Sequence, residues 1–314
     1  MARAARWTGW DCDEAPVADG GEGILDALGG SVRRTRVKGP LGEVVTAEWR
    51  MSGATAVIEA AQAAGLALVG GADWNDPMRA STAGVADLVT AAVAGGAKRV
   101  VVGVGGSATT DGGLGCVRAL EERRLRGVEL VVACDVSTTF VDAARQFAGQ
   151  KGAGPAQVAM LERRLQRLAQ LYRDEHGVDV EDLPGSGAGG GLAGGLAALG
   201  ASLVPGFELV ADAIDLAGRI EKADLVLSGE GFVDEHSFEG KPVGGVVELC
   251  QEAGVPVAVV AGEVFGNHQL ATISLVESHG RELAEARTVA CVEDAVGDYL
   301  RRHPGGPRHR RGGR

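Results

Sequence analysis

The chain has 314 residues, of which 45% are hydrophobic and 23% charged, as in a globular protein long enough to bury a sizeable core. Its net charge of −11 argues against a nucleic-acid-binding protein, and no uncharged apolar run is long enough to predict a membrane span. The five cysteines form no Cys-x-x-Cys pair, which argues against a disulfide framework or a zinc site. The start has no signal-peptide pattern, so we expect a cytoplasmic protein with reduced thiols and neither a nucleic-acid nor a membrane partner.

The predicted elements alternate between apolar strands and alanine-rich helices. A helix-like segment opens the chain at residues 1–10. Buried strands are predicted over 98–104, 128–136, 224–228 and 255–261, and helices over 84–94, 114–124, 155–172 and 191–200. Strands that are apolar throughout are typical of a parallel sheet covered by helices on both faces, so the class is α/β. The arginine-rich segment 301–314 is predicted to be a disordered basic tail.

Glycine is strongly over-represented, with 50 residues in the chain against a typical share of about 7%. The glycines cluster in four segments that also carry the polar residues expected of a functional site. The first is 16–28, where Asp19, Gly20 and Gly21 precede a predicted helix. Asp19 is either the N-cap of that helix or a ligand-binding group.

The second segment, 103–115, follows a strand and opens a helix. Glycines in this position let backbone N–H groups point at an anion, and Gly105, Gly106, Ser107 and Thr109 are the candidates. Asp111 could hold a divalent cation or accept a proton. The pattern Gly103-x-Gly105-x-x-Ala108 also matches a dinucleotide fingerprint, but the ribose-binding acid expected about 20 residues further on is missing. A tight turn for strand–helix packing is the structural alternative.

The third segment is 185–195, again before a predicted helix. It predicts a second anion site with Gly187 and Gly189 as candidates, a close crossing of two backbones, or a flexible linker.

The fourth segment, 224–245, places Glu230, Asp234 and Lys241 after a strand, where α/β proteins bind ligands. No Walker A motif, catalytic-serine motif, zinc-protease motif or protein-kinase motif set occurs. Phosphoryl transfer needs only an anion cradle, a metal-holding acid and an acid that orients the attacking hydroxyl, and the four segments supply those parts.

In this order, the segments resemble the type I glycerate kinase family of bacteria. The resemblance rests on eight collinear blocks from about residue 16 to residue 262, which include PVADGGEG, VGGSATTDGGLG, ACDV, QKGA and SGEGFVDEHSFEGK. It implies two α/β domains: a discontinuous flavodoxin-like domain from residues 1–42 and 235–300, and an inserted domain at 43–234. It further implies transfer of the ATP γ-phosphoryl group to a hydroxyl of D-glycerate with Mg²⁺. The sequence does not fix the oligomeric state, and a homo-oligomer is compatible with it.

Carried over to this chain, the resemblance assigns catalytic roles to Asp111, Asp135, Asp234 and Lys241. The three aspartates are expected at the metal and the substrate hydroxyl, and Lys241 at the transferring phosphate. The other ligand contacts are expected at Asp19, Gly20, Gly21, Gly105, Gly106, Ser107, Thr109 and Glu230.

The sequence also departs from the family pattern. Family members usually begin with a strand that ends in a D-S-F-K-like turn, and the residues before Pro16 do not contain it. We therefore expect either a start assigned too late or a truncated paralogue. Two alternatives to a kinase stay open: an NAD(P)-binding oxidoreductase, or an inactive paralogue that acts as a binding protein.

Overall fold

The computed structural model describes residues 1–120, 125–233, 242–266 and 270–302. Contacts between Cα atoms divide the chain into two compact units. The inserted unit is Pro16–Ala213, and the discontinuous unit combines Met1–Ala15 with Ile214–Arg314. The predicted class of two α/β domains, one of them discontinuous and the other inserted, is confirmed.

Strands and helices alternate along most of the described chain. The strands are β1 (Ser31–Lys38), β2 (Val44–Ser52), β3 (Thr55–Glu59), β4 (Arg99–Gly103), β5 (Glu129–Ala133), β6 (Ser202–Val204), β7 (Val226–Val233), β8 (Val257–Val264) and β9 (Ala271–Ser274). The helices are α1 (Ala2–Trp7), α2 (Ile24–Leu28), α3 (Ala61–Ala64), α4 (Ala83–Ala94), α5 (Leu114–Ala119), α6 (Ala143–Phe147), α7 (Pro155–His176), α8 (Leu192–Ala198), α9 (Gly206–Ala213), α10 (Leu216–Ile220), α11 (Pro242–Ala253), α12 (Leu275–His279), α13 (Arg281–Ala286) and α14 (Thr288–Arg302). Short 3₁₀ turns lie at Ala67–Val69, Ala72–Trp74 and Gly149–Lys151. No helix of these described ranges is long and apolar enough to cross a membrane.

The inserted unit is built on one six-stranded sheet in the order β1-β2-β3-β4-β5-β6. β1, β2 and β3 pair antiparallel, and β3 to β6 pair parallel. The parallel strands β3, β4 and β5 are buried along nearly their whole length, because α3, α4, α5 and α8 contribute apolar side chains to the core around them. Ile58, Val102 and Val132 lie at the centre of this core.

A second core in the same unit forms under the long helix α7. Leu161, Leu165 and Tyr172 on this helix pack with Phe140. The hydroxyl of Tyr172 donates to the carbonyl oxygen of Gly112 at 2.9 Å, so the helix also supports the glycine-rich turn before α5.

The discontinuous unit has a parallel sheet in the order β7-β8-β9. Its main core joins Val260 and Ile273 on the sheet to Val296 on α14, and α1 adds Ala4 and Ala5. The guanidinium of Arg219 binds the carboxylate of Asp13 with bonds of 2.9 and 2.5 Å.

Most predicted elements are present, with shifted ends. The strands predicted over 98–104 and 128–136 are β4 and β5, but the strand predicted to end at Ser228 continues to Val233 as β7. That end is wrong because the residues after Ser228 pair with β8. Of the predicted tail, Arg301 and Arg302 belong to α14, and residues 303–314 lie outside the described residues.

The bounds of the two units differ from the predicted domain bounds at 42/43 and 234/235. β1, which precedes residue 42, pairs with β2 along its whole length, from Ser31–Met51 to Lys38–Val44. The strands therefore share one sheet, and this hairpin places residues 31–42 in the inserted unit.

Candidate active site

Three parallel strands of the inserted unit end side by side. Glu59 at the end of β3 lies opposite Gly103 at the end of β4, which lies opposite Ala133 at the end of β5. Ligands of α/β proteins bind in the crevice outside the carboxyl ends of such strands. Two of the four glycine-rich segments meet at this edge.

The turn at Asp19, Gly20 and Gly21 packs directly against the strand ends. A Cβ atom at Gly20 would overlap the carbonyl oxygen of Ala133, and one at Gly105 would lie 2.5 Å from the Cα of Gly21. The absence of side chains at these glycines therefore lets the first and second segments touch through their backbones.

Asp19 is not the N-cap of α2. That helix begins at Ile24 with Gly23 as its N-cap residue, and Glu59 accepts hydrogen bonds from the N–H groups of Gly23 at 2.8 Å and Leu25 at 3.3 Å. The carboxylate of Asp19 instead accepts from the N–H of Gly21 at 3.0 Å. The capping alternative is wrong because a buried glutamate from β3 already serves the helix.

Asp135 follows β5 by two residues and is half-buried, whereas the predicted strand 128–136 included it. Its Oδ1 accepts from the N–H of Gly206 at 2.6 Å, and its Oδ2 accepts from the N–H of Phe207 at 2.9 Å, at the start of α9. Burial raises the pKa of Asp135, and the carboxylates of Asp19 and Glu208 raise it further. Asp19 and Asp135 therefore bring two acidic groups to the same edge of the sheet.

The loop at residues 105–111, called here the Gly105 loop, has three carbonyl groups that accept hydrogen bonds from neighbouring segments. The carbonyl oxygen of Gly106 accepts from the N–H of Leu66 at 2.9 Å. Those of Ala108 and Thr109 accept from side chains, namely Asn75 Nδ2 at 2.9 Å and Lys151 Nζ at 2.6 Å. The described part of the chain offers no acceptor to the N–H groups of Gly105, Gly106 and Ser107. Three neighbouring N–H groups in this state are candidates for binding an anion, and they are called the cradle below.

Hydroxyl groups connect the Gly105 loop to the third glycine-rich segment. The Oγ of Ser107 accepts from the N–H of Thr109 at 3.0 Å and lies 2.8 Å from Thr109 Oγ1. That hydroxyl lies 3.4 Å from the carbonyl oxygen of Gly189. The segment is almost entirely buried, and a Cβ atom at Gly187 would overlap the carbonyl oxygen of Thr139. Close crossing of backbones, one of the predicted alternatives, therefore accounts for these glycines better than a flexible linker does.

Asp111 is buried and already holds four hydrogen bonds. Its Oδ2 accepts from the N–H and hydroxyl of Thr82, both at 2.9 Å, and from the N–H of Gly115 at 3.1 Å. Its Oδ1 accepts from the N–H of Gly113 at 3.1 Å. Burial raises the pKa of Asp111, whereas these hydrogen bonds act in the opposite direction. Through these hydrogen bonds the carboxylate of Asp111 connects the start of α5 to the start of α4.

Comparison with known proteins identifies the family. The profile of the Glycerate kinase family matches residues 2–123 and 121–281. The chain belongs to the glycerate kinase family. It is 37% identical to a glycerate 2-kinase of Escherichia coli K12, over 84% of this chain and 78% of that one. It is 39% identical to a glycerate kinase of Halalkalibacterium halodurans, over 79% and 76%.

A solved structure is similar over nearly the whole chain. A crystal structure described as glycerate kinase 2 from Salmonella typhimurium LT2 superposes with a TM-score of 0.77 at 32% identity, covering 96% of this chain and 92% of that one. The family membership decides against the NAD(P)-binding alternative. The Gly103-x-Gly105-x-x-Ala108 pattern belongs instead to a kinase loop.

Of the three predicted site residues in the fourth glycine-rich segment, the structure describes only Glu230. Glu230 is inside β7 of the discontinuous unit, opposite Ala261 of β8, and not in a loop after the strand. Asp234 and Lys241 lie outside the described residues. Their roles stay predictions.

The structure adds two residues to which sequence reasoning gave no role. Lys151 lies in the quoted block QKGA, and its side chain is buried with a relative exposure of 7%. Asn75 uses both hydrogens of its amide group, on the carbonyl oxygens of Ala108 and Lys151 at 2.9 and 2.8 Å. In the sequence, Lys151 is visible only as a lysine next to glycine and alanine, and this pattern does not show which group the lysine binds.

Proposed function

We propose that this chain transfers the γ-phosphoryl group of ATP to a hydroxyl of D-glycerate, with Mg²⁺ as the cofactor, in the cytoplasm. The observation that carries the proposal is the cradle at Gly105, Gly106 and Ser107, set beside the carboxylates of Asp19 and Asp135 in a member of the glycerate kinase family. Phosphoryl transfer depends on positioning and on charge stabilisation, which an anion cradle and neighbouring acids supply.

The cradle binds an anionic group of the reactants, either a phosphate of ATP or the carboxylate of glycerate. Backbone N–H groups suit this task because they hold the anion without a mobile side chain. Ser107 adds its hydroxyl, which is ordered by Thr109.

Asp135 fits a magnesium ligand better than Asp111 does. Each oxygen of Asp135 accepts one hydrogen bond and keeps a lone pair, and a cation would relieve its repulsion with Asp19. In contrast, Oδ2 of Asp111 already accepts three hydrogen bonds. When bound, Mg²⁺ would neutralise charge on the phosphoryl oxygens. The predicted metal role of Asp111 stays a prediction, and its bonds favour a positioning role.

In the described ranges, no cluster of three or more histidine, cysteine, aspartate or glutamate side chains is arranged to hold a metal ion. Magnesium usually keeps several waters and binds through one or two carboxylates plus substrate phosphates. The pair of Asp19 and Asp135 fits that mode of binding.

The decisive experiment is a coupled ADP-release assay on the purified chain with D-glycerate, ATP and Mg²⁺. We expect ADP release that requires D-glycerate and Mg²⁺, with glycerol as the control acceptor because it lacks the carboxylate. ³¹P NMR of the product then identifies the hydroxyl that is phosphorylated.

A folded chain that releases no ADP with D-glycerate would overturn the proposal and favour the binding-protein alternative. If ADP is released equally fast with glycerol, the chain is still a kinase, but glycerate is not its specific substrate.

A further inference from the structure

The shape of the Gly105 loop depends on two side chains from outside it. Lys151 lies at the end of the 3₁₀ turn Gly149–Lys151, and Asn75 directly follows the 3₁₀ turn Ala72–Trp74. A Cβ atom at Gly152 would overlap the carbonyl oxygen of Ala72, so the two turns are in backbone contact. The amide group of Asn75 then bridges Lys151 to Ala108 in the loop.

Fixing a carbonyl group also fixes the next N–H group. In a planar trans peptide the C=O and the N–H point in opposite directions. Lys151 binds the carbonyl oxygen of Thr109, so the N–H of Thr110 points to the opposite side. Asn75 binds the carbonyl oxygen of Ala108, so the N–H of Thr109 is fixed in the same way. The N–H of Thr109 in turn orders the hydroxyl of Ser107.

The hydroxyl of Thr110 gives an independent observation in the same place. Thr110 is fully buried, and its Oγ1 has no hydrogen-bond partner in the described part of the chain. A buried hydroxyl without a partner is costly, so the contacts around the loop must hold Thr110 in place against that cost.

We propose that Lys151 and Asn75 are positioning residues that hold the Gly105 loop in the conformation that binds the anionic reactant. The inference rests on the proposed function and deepens it. Lys151 touches the carbonyl of Thr109 and acts through the loop. Stability alone does not account for a lysine here, because replacing a buried charge by an apolar side chain of similar size is often neutral or stabilising.

The test compares Lys151→Met with Gln150→Met, a matched change at the exposed neighbouring residue, and with Asn75→Leu. We expect kcat for ADP release to fall about 100-fold in Lys151→Met and in Asn75→Leu, since misplacing charge-stabilising donors costs about that much. Gln150→Met keeps the wild-type kcat. At pH 7 the urea midpoint of Lys151→Met does not fall below that of the wild type, because the variant lacks the buried charge, and this separates positioning from unfolding.

Hydrogen–deuterium exchange of the segment 104–113 gives a readout that does not require activity. We expect faster exchange there in Lys151→Met and Asn75→Leu than in Gln150→Met. If the wild type turns over no glycerate, the proposed function fails while the exchange data still test the support of the loop. Unchanged exchange, or unchanged kcat in a folded Lys151→Met, would overturn the positioning role. If Lys151→Met fails to fold, Asn75→Leu decides by the same criteria.

Discussion

The hydroxyl of Thr82 donates to Oδ2 of Asp111 at 2.9 Å and accepts from the N–H of Cys116 at 3.0 Å. All three residues are fully or almost fully buried. The hydroxyl therefore joins the first turn of α4 to the first turn of α5 through a buried carboxylate.

Replacing Thr82 by valine removes this hydroxyl at nearly constant volume. We expect the free energy of unfolding to fall by about 2–3 kcal/mol, since hydrogen bonds to charged groups contribute about that much and both partners stay buried. Urea denaturation measures the change. Thr90→Val, at a half-buried position of α4, is the control and should cost less than about 0.5 kcal/mol. Equal losses in the two variants would contradict the role of Thr82.

Gly190 has a φ of +69°, and a Cβ atom there would overlap the carbonyl oxygen of Thr109. Gly177 has a φ of +70° with nothing within 4 Å of its Cβ position, which makes it a matched control for the backbone strain alone. We expect Gly177→Ala to cost about 1 kcal/mol and Gly190→Ala at least about 2 kcal/mol more, because the second must also move the Gly105 loop. Chemical denaturation of both variants checks the difference. If Gly190→Ala costs no more than Gly177→Ala, the Gly105 loop can move to accept the methyl group at little cost in free energy.

The parallel core of the inserted unit was predictable because its strands are apolar throughout, and β4 and β5 came from that pattern. The hairpin of β1 and β2 was not predicted, since its largely exposed β1 carries arginines in place of an apolar run. The glycine-rich segments were found from composition and motif order. The sequence did not show that these glycines are contact points between backbones, because the partner of Gly20 is the carbonyl group of Ala133, which is remote in sequence.

Lys151 shows the same limit for side chains. The sequence presents a lysine in a short glycine-containing block, which is usually a solvated position. Only the fold shows that its ammonium is buried and bound to Thr109, which lies 42 residues earlier in the chain.

Asp135→Asn tests the proposed magnesium site. We expect the Mg²⁺ concentration for half-maximal ADP release to rise at least about 10-fold and kcat to fall about 100-fold, since a neutral amide is a weaker ligand for this hard cation. A magnesium titration of the coupled assay measures both. Asp212→Asn, an exposed change on α9, is the control and should leave both values unchanged. An unaltered magnesium requirement in Asp135→Asn would remove this residue from the proposed site.

The last prediction concerns the charge of Lys151. Burial lowers the pKa of Lys151 to about 8 from its usual 10.5. Between those values the unfolded chain binds more protons than the folded one, so folding stability rises with pH across this window. Below pH 8 the wild type carries the full cost of the buried charge, and above pH 10.5 it carries none.

Lys151→Met lacks this titration, so the stability difference between the two proteins must depend on pH. Because one pH unit corresponds to about 1.4 kcal/mol, we expect the wild type to gain about 2.5 kcal/mol relative to Lys151→Met between pH 7 and pH 10. Urea denaturation of both proteins across that range measures the gain. Gln150→Met, an exposed change that removes no charge, is the control and should differ from the wild type by the same amount at every pH. A constant difference for Lys151→Met as well would mean that the ammonium is solvated, which would contradict its burial in the fold.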